Sequence, residues 1–218
     1  MYQKVTSNLI TSLNKLFRKV GKQEITLGMA RKNGIQGVIN QLQKDLNKTT
    51  QKEISSLSKD MQSEYIDTYV GVTGSRRPLK KAKQRANFPW SGMSASQRVL
   101  KNAQNFQLEI IQGLENALRG GATIQDVLDV VLNITNKYSN RHDVLVRTEL
   151  WHMYSQGMLD GFIANKIHLV QYVTSGDDRV CPECVALEQY NEGIYSVEDA
   201  PTLPRHPSCR CQLIPYEE

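Results

Sequence analysis

No stretch of this 218-residue chain approaches the roughly 20 consecutive apolar residues of a transmembrane helix. The first residues, Met1-Tyr2-Gln3-Lys4-Val5, lack the apolar run of a secretory signal, so a reducing cytosol is the expected site of synthesis. Cysteine is scarce: four residues, all in the last 40 positions. In a reducing compartment such a cluster favours metal over disulfides. No internal repeat and no low-complexity segment is recognisable. Missing too are a glycine-rich phosphate loop, a Ser/His/Asp or Cys/His constellation and a recognisable pair of carboxylates for acid–base catalysis. The sequence therefore offers no positive sign of catalysis. Apolar residues make up 39%, slightly below the globular norm, which is enough for a core.

The four cysteines form two tight pairs. Positions 185–208 separate Cys181-Pro182-Glu183-Cys184 from Cys209-Arg210-Cys211, and His206 stands three positions before Cys209. Each pair makes one arm of a clamp and the intervening loop closes it, as a four-coordinate structural Zn²⁺ requires. The donors are the four thiolates, or three of them with His206. A thioredoxin-like redox pair at Cys181 and Cys184 needs a surrounding βαβ sheet, for which a chain that is helical up to position 165 leaves no room. A zinc nucleobase deaminase needs His-x-Glu, which neither His142-Asp143-Val144 nor His152-Met153-Tyr154 supplies. Unmetallated cysteines that only pack, or that oxidise after assembly, are the remaining alternative.

Charge is divided unevenly. The net +5 splits into +11 over residues 1–90 and −6 over 91–218. The sharpest concentration is Arg76-Arg77-Pro78-Leu79-Lys80-Lys81-Ala82-Lys83-Gln84-Arg85, with six positive charges and no negative one. Phe88 and Trp90 follow in a loop. Arg76, Arg77, Lys80, Lys81, Lys83 and Arg85 are candidate phosphate contacts with rings behind them for stacking. Nothing there reads base sequence, so such binding is expected to be non-specific and salt-sensitive. A solvated linker, or an arm that docks on an acidic protein surface, accounts for the same run.

From its start to position 165 the chain reads as helix. Val5, Leu9, Leu13, Leu16 and Val20 form an apolar stripe closed by Gly21. Ile35, Val38, Ile39, Leu42 and Leu46 form a second, and Ile54, Leu57, Met61 and Tyr65 a third, with Gly71 and Gly74 breaking the pattern. Ser94 to Gln97 fits a capping box ahead of the stripe Val99, Ala103, Phe106, Ile110, Leu114 and Ala117, which Gly120-Gly121 ends. Thr123 opens another helix with Ile124, Val127, Leu128, Val131 and Leu132 on its face. A further one runs from about Asp143 to Phe162, with Arg147 and Glu149 as candidate buried anchors to the terminal module. Leu169 to Thr174 reads as a strand, Gly193 to Val197 as a second, and Pro201, Pro204 and Pro207 stiffen an extended return. This end module is too small to bury its own core without a metal or staple. The expected fold is mainly α: an elongated helical body with a small C-terminal β-containing Cys/His zinc-knuckle-like module. The expected segments are an N-terminal helical region 1–75, a basic linker or arm 76–92, a helical core 93–166 and a β-rich knuckle 167–218.

Asp177-Asp178-Arg179-Val180-Cys181-Pro182-Glu183-Cys184, then Pro204-Arg205-His206-Pro207-Ser208-Cys209-Arg210-Cys211 with Ile214-Pro215, resembles the terminal signature of the phage head-morphogenesis (Mu F-like) minor head proteins. Val146-Arg147-Thr148-Glu149, and Trp90 leading into Gln97-Arg98-Val99, are similar to the same family. The likeness spans roughly residues 90–215; residues 1–75 are not distinctive. Many relatives carry Leu-x-Gly after the first cysteine pair, whereas Leu187-Glu188-Gln189 has no glycine until Gly193.

The resemblance implies a virion component and not an enzyme. It implies a minor capsid protein of a tailed-phage head, present in few copies and associated with the portal. Such a protein is needed for head assembly or for DNA packaging and delivery. Expected partners are the portal protein, a capsid or scaffold protein and packaged double-stranded DNA, with no membrane in the assembly state. The expected location is the head interior or portal vertex, after assembly in the bacterial host cytoplasm. The alternative is a free, non-specific nucleic-acid-binding zinc protein.

Overall fold

Nothing between Leu46 and Ile54 stops a helix, and in the computed structural model, which describes residues 1–75 and 78–217, none stops there. The helices are α1 (Tyr2–Val20), α2 (Leu27–Asn33), α3 (Ile35–Thr73), α4 (Leu79–Asn87), α5 (Ala95–Arg119), α6 (Ile124–Ala164) and α7 (Pro182–Gln189). The strands are β1 (Glu24–Ile25), β2 (Ala122–Thr123), β3 (Leu169–Val173), β4 (Ile194–Ser196) and β5 (Gln212–Tyr216). The fold is mainly α with small C-terminal strands, as the sequence indicates. No helix among the described residues is long and apolar enough to cross a membrane.

The second and third apolar stripes belong to one 39-residue helix. Gly71 lies inside it; the break comes at Gly74, whose φ of 61° is left-handed. The two helices expected over 123–132 and 143–162 are likewise one helix of 41 residues. Thr135, Tyr138 and His142, spaced by three and four, carry the buried face across the apparent gap. The start of α6 is capped reciprocally. The Asp126 carboxylate accepts from Thr123 N–H at 2.8 Å, and Thr123 Oγ1 accepts from Asp126 N–H at 3.2 Å. Within the basic segment Leu79 to Asn87 is helical, with Ala82 and Ala86 buried. Four elements have no counterpart in the sequence reading: α7 and β5, and the two-residue strands β1 and β2 inside a stretch read as helix.

The chain divides into two compact units, each drawn from two stretches. The first comprises Met1–Ser55 and Ser96–Asp143. Its core is one cluster from α1, α2, α3, α5 and α6, centred on the aromatic set Tyr2, Phe106 and Tyr138. The rings of Tyr2 and Phe106 lie 4.7 Å apart, and Phe106 meets Tyr138 edge-on at 5.6 Å. Strands β1 and β2 pair antiparallel, Ile25 opposite Ala122. Gly113 lets α5 and α6 approach: a Cβ there would meet Val130 Cγ1 at 2.8 Å.

The second unit comprises Ser56–Ala95 and Val144–Glu218. A three-stranded antiparallel sheet, in the order β4-β3-β5, pairs Tyr172 with Leu213 and Gln171 with Ile194. Its inward side chains join Phe162 of α6, Leu203, Val197 and three cysteines in a second core. Gly157 and Gly161 face the end of α3. A Cβ on Gly157 would meet Tyr65 O at 2.8 Å, and one on Gly161 would meet Val72 Cγ1 at 2.8 Å.

Candidate metal centre

The two cysteine pairs are brought together by different local devices. Cys181 is the N-cap of α7 and Pro182 its first residue, a position where proline's missing N–H costs no hydrogen bond. Cys181 Sγ accepts from Cys184 N–H at 3.4 Å, so one turn of helix sets both sulfurs on one side. On the other arm, Cys209 N–H bonds His206 O at 3.1 Å, and Ser208 takes a left-handed φ of 64°. That turn folds His206 back towards Cys209.

The result is two donor triads that share Cys184. One is Cys181, Cys184 and His206; the other is Cys184, Cys209 and Cys211. In each, the ligand atoms lie within 4.8 Å of one another. Cys184 Sγ is 3.6 Å from His206 Nε2 and 4.0 Å from Cys209 Sγ. All four cysteines are free thiols; Cys184, Cys209 and Cys211 are buried, while Cys181 and His206 are partly open. His206 Nδ1–H donates to Pro207 O at 3.0 Å, which leaves Nε2 as the ring nitrogen facing Cys184. This donor set could hold a metal ion.

The electrostatics are uneven across the cluster. The Cys184 N–H bond draws the Cys181 thiol below its usual value. Burial pushes Cys184 up, and Cys211 likewise. At Cys209 burial pulls upward, but hydrogen bonds from the backbone of Cys211 and Arg205 outweigh it and the thiol is lowered. His206 is raised, first by its bond to the Pro207 carbonyl and then against its own desolvation by neighbouring sulfurs. Two ion pairs frame the arms. Arg210 grips Asp177 through both carboxylate oxygens at 2.6 and 2.7 Å. Arg205 bonds Glu183 Oε1 from Nη2 at 2.7 Å and from Nε at 3.1 Å.

The six basic candidates fall elsewhere. Arg76 and Arg77 lie outside the described residues. Lys80 and Lys83 are exposed on α4. Lys81 and Arg85 reach the same buried carboxylate, Asp160, at 2.9 Å each, and Tyr65 Oη donates to it at 2.7 Å. The ring of Trp90 stacks on His152 at 4.2 Å and its Nε1–H donates to Glu149 at 2.8 Å, while Phe88 is exposed. Of the expected pair of buried anchors only Glu149 is buried, and it accepts from Trp90; Arg147 is exposed. One tie from α6 to the terminal module runs through His152, whose Nδ1–H donates to Leu203 O at 2.7 Å.

Sequence reasoning missed two features. A cleft of about 680 Å³ opens beside Cys209, with Glu64, Arg147, Trp151, Tyr154 and Arg210 among its walls. These residues are far apart along the chain, so no motif could announce it. The other is Asp160, which belongs to no motif; three partners reach it from α3 and α4.

A protein-family model described as Phage Mu protein F like protein matches residues 106–214, half of the chain and inclusive of all five donors. No curated protein and no solved structure matches the chain. By that match the chain belongs to the Phage Mu F-like family, a phage-head-related and generally non-enzymatic group.

Proposed function

We propose that this chain is a minor head protein of a tailed phage that docks at the portal or inner capsid, with a structural Zn²⁺ locking its C-terminal module. The observation that carries the reading is that the family match encloses Cys181 to Cys211, and those donors converge. With Zn–S of about 2.3 Å and Zn–N of about 2.0 Å, a tetrahedral site has edges of about 3.8 Å between sulfurs and about 3.5 Å from sulfur to nitrogen. The separations of 4.0 and 3.6 Å around Cys184 support zinc on that measure. The oriented His206 ring supports it too. Cys184 is common to both triads and is a ligand in every four-coordinate choice. The remaining positions go to Cys181 and two of His206, Cys209 and Cys211.

Bound there, zinc supplies cross-linking energy and no turnover: it joins α7, the 203–211 loop and the foot of β5, which are too few residues to hold a core unaided. The function is then assembly, performed by a surface held in shape. Quantitative mass spectrometry of purified virions tests it. The chain should be present in few copies, in a fixed ratio to portal protein; virions that lack it would contradict the proposal.

Contact with packaged DNA belongs to the same reading. Lys80 and Lys83 are exposed on one short helix, and Phe88 stands open beyond its end. Reversing both lysine charges should weaken DNA retention and flatten its salt dependence, by about 0.9 in logarithmic slope for each phosphate no longer neutralised. Unchanged retention would leave α4 as a docking or packing element.

A further inference from the structure

Strand β3 alternates, so Val170 and Tyr172 both point inward, and both are fully buried. For Val170 that is sufficient. Tyr172 carries a hydroxyl into a core of Phe162, Leu203, Leu213 and the cysteines. Its Oη has no hydrogen-bond partner. Phenylalanine would fill the same volume without stranding a polar atom, and a buried unpaired hydroxyl calls for an explanation.

Cys184 and Cys211 are buried in the same core as Tyr172, and their sulfurs act on its hydroxyl without closing a hydrogen bond to it. A neutral thiol is a weak acceptor. A thiolate bound to a metal keeps negative charge and accepts strongly. The Tyr172 hydroxyl is therefore poorly served by the thiols and well served by the thiolates.

We infer that Tyr172 is a positioning residue of the metal centre, its hydroxyl donating to a metal-bound thiolate of the Cys184–Cys211 pair. This rests on the zinc reading above. The hydroxyl fixes the orientation of a ligand and partly neutralises it, without touching the metal. It also biases the module: metal-free, the hydroxyl is an uncompensated polar group, and metal-loaded it is satisfied.

The test compares wild type with Tyr172→Phe, using Zn²⁺ in competition with a chromophoric chelator, melting in excess chelator, and the visible spectrum with Co²⁺ in place of Zn²⁺. The variant should bind zinc about 10- to 100-fold more weakly. Its metal-free melting temperature should be unchanged or higher. Its sulfur-to-cobalt charge-transfer band should move to longer wavelength, because a thiolate stripped of a hydrogen bond gives up charge more easily. Equal zinc affinity and an unmoved cobalt band would overturn the inference and leave the zinc reading intact. Equal losses of stability with and without metal would make Tyr172 a packing residue and overturn it too. Wild-type chain that takes up no zinc would remove both. Should the variant not fold, the wild-type chain loaded with NMR-active cadmium decides. A scalar coupling between the Tyr172 hydroxyl proton and the metal supports the inference, and its absence overturns it.

Discussion

Asp160 shows why single residues in this chain resist reading from sequence alone. It is 3% exposed, and its carboxylate is shared by Arg85, Lys81 and the Tyr65 hydroxyl. Burial acts to raise its pKa, but the hydrogen bonds from Arg85, Lys81 and Tyr65 outweigh it, and the group lies below the ordinary carboxylate range. A carboxyl more acidic folded than unfolded adds stability above its unfolded value, about pH 4, and loses that contribution as pH falls through the lower folded value. Asp160→Asn should therefore cost stability at pH 7, and the cost should shrink as urea midpoints are followed down to about pH 3. A cost independent of pH would remove the ion pairs from the account. The two cations are not equivalent. Arg85 makes two bonds from a partly shielded site, so Arg85→Ala should cost about 2 kcal/mol. Lys81 has a half-open side chain, and its loss should cost less than about 1 kcal/mol. The sequence displayed a run of charge; it held no sign that two members reach one buried acid, because that acid lies 75 residues beyond Arg85 along the chain.

At the scale of elements, two glycines make opposite predictions. Gly71 sits within α3, and nothing lies within 4 Å of a Cβ built there. Gly71→Ala should stabilise by about 0.5–1 kcal/mol, since alanine is the better helix former. Gly157 sits within α6, where the same methyl would strike Tyr65 O at 2.8 Å and Thr68 Cβ at 2.9 Å. The helical gain of about 1 kcal/mol is opposed by overpacking of typically 1–3 kcal/mol against backbone that cannot step aside. Gly157→Ala should therefore lower the melting temperature, and a rise would show that α3 and α6 are not in close contact there. Apolar periodicity made the helices legible, from α1 and its left-handed Gly21 stop to the stripe of α5. Their lengths were less legible. Polar residues across 47–53 and 133–142 looked like interruptions, yet Thr50, Thr135 and His142 keep the buried face going. Helix α7 had a usable signal in Pro182 directly after Cys181; the metal motif occupied the same letters and hid it. Strand β5 lacks alternation because Pro215 stands in an edge strand, where its missing N–H is tolerated.

For the molecule as a whole, the cysteine pairs were the most legible part and the grouping of the chain the least. Spacing alone grouped Cys181, Cys184, His206, Cys209 and Cys211, and the fold brings them together as two triads that share Cys184. The assembly of each compact unit from two separated stretches follows from packing between helices remote in sequence, as where Tyr2 of α1 meets Phe106 of α5, and no local pattern encodes it. If the metal fastens the terminal module, its removal should act locally. In hydrogen exchange, chelation should strip protection from amides of β3, β4, β5 and α7, while those of α1 and α5 retain theirs. Ligand choice can be resolved in the same way: Cys184→Ser should abolish zinc binding, and of His206→Ala, Cys209→Ser and Cys211→Ser only the loss of a true ligand should weaken it more than tenfold. The most direct measurement is the metal content of the protein purified with neither added metal nor chelator, by elemental analysis on a chain whose folding is checked in the same sample. About one Zn²⁺ per chain is the predicted result; a fully folded protein free of metal would contradict the account.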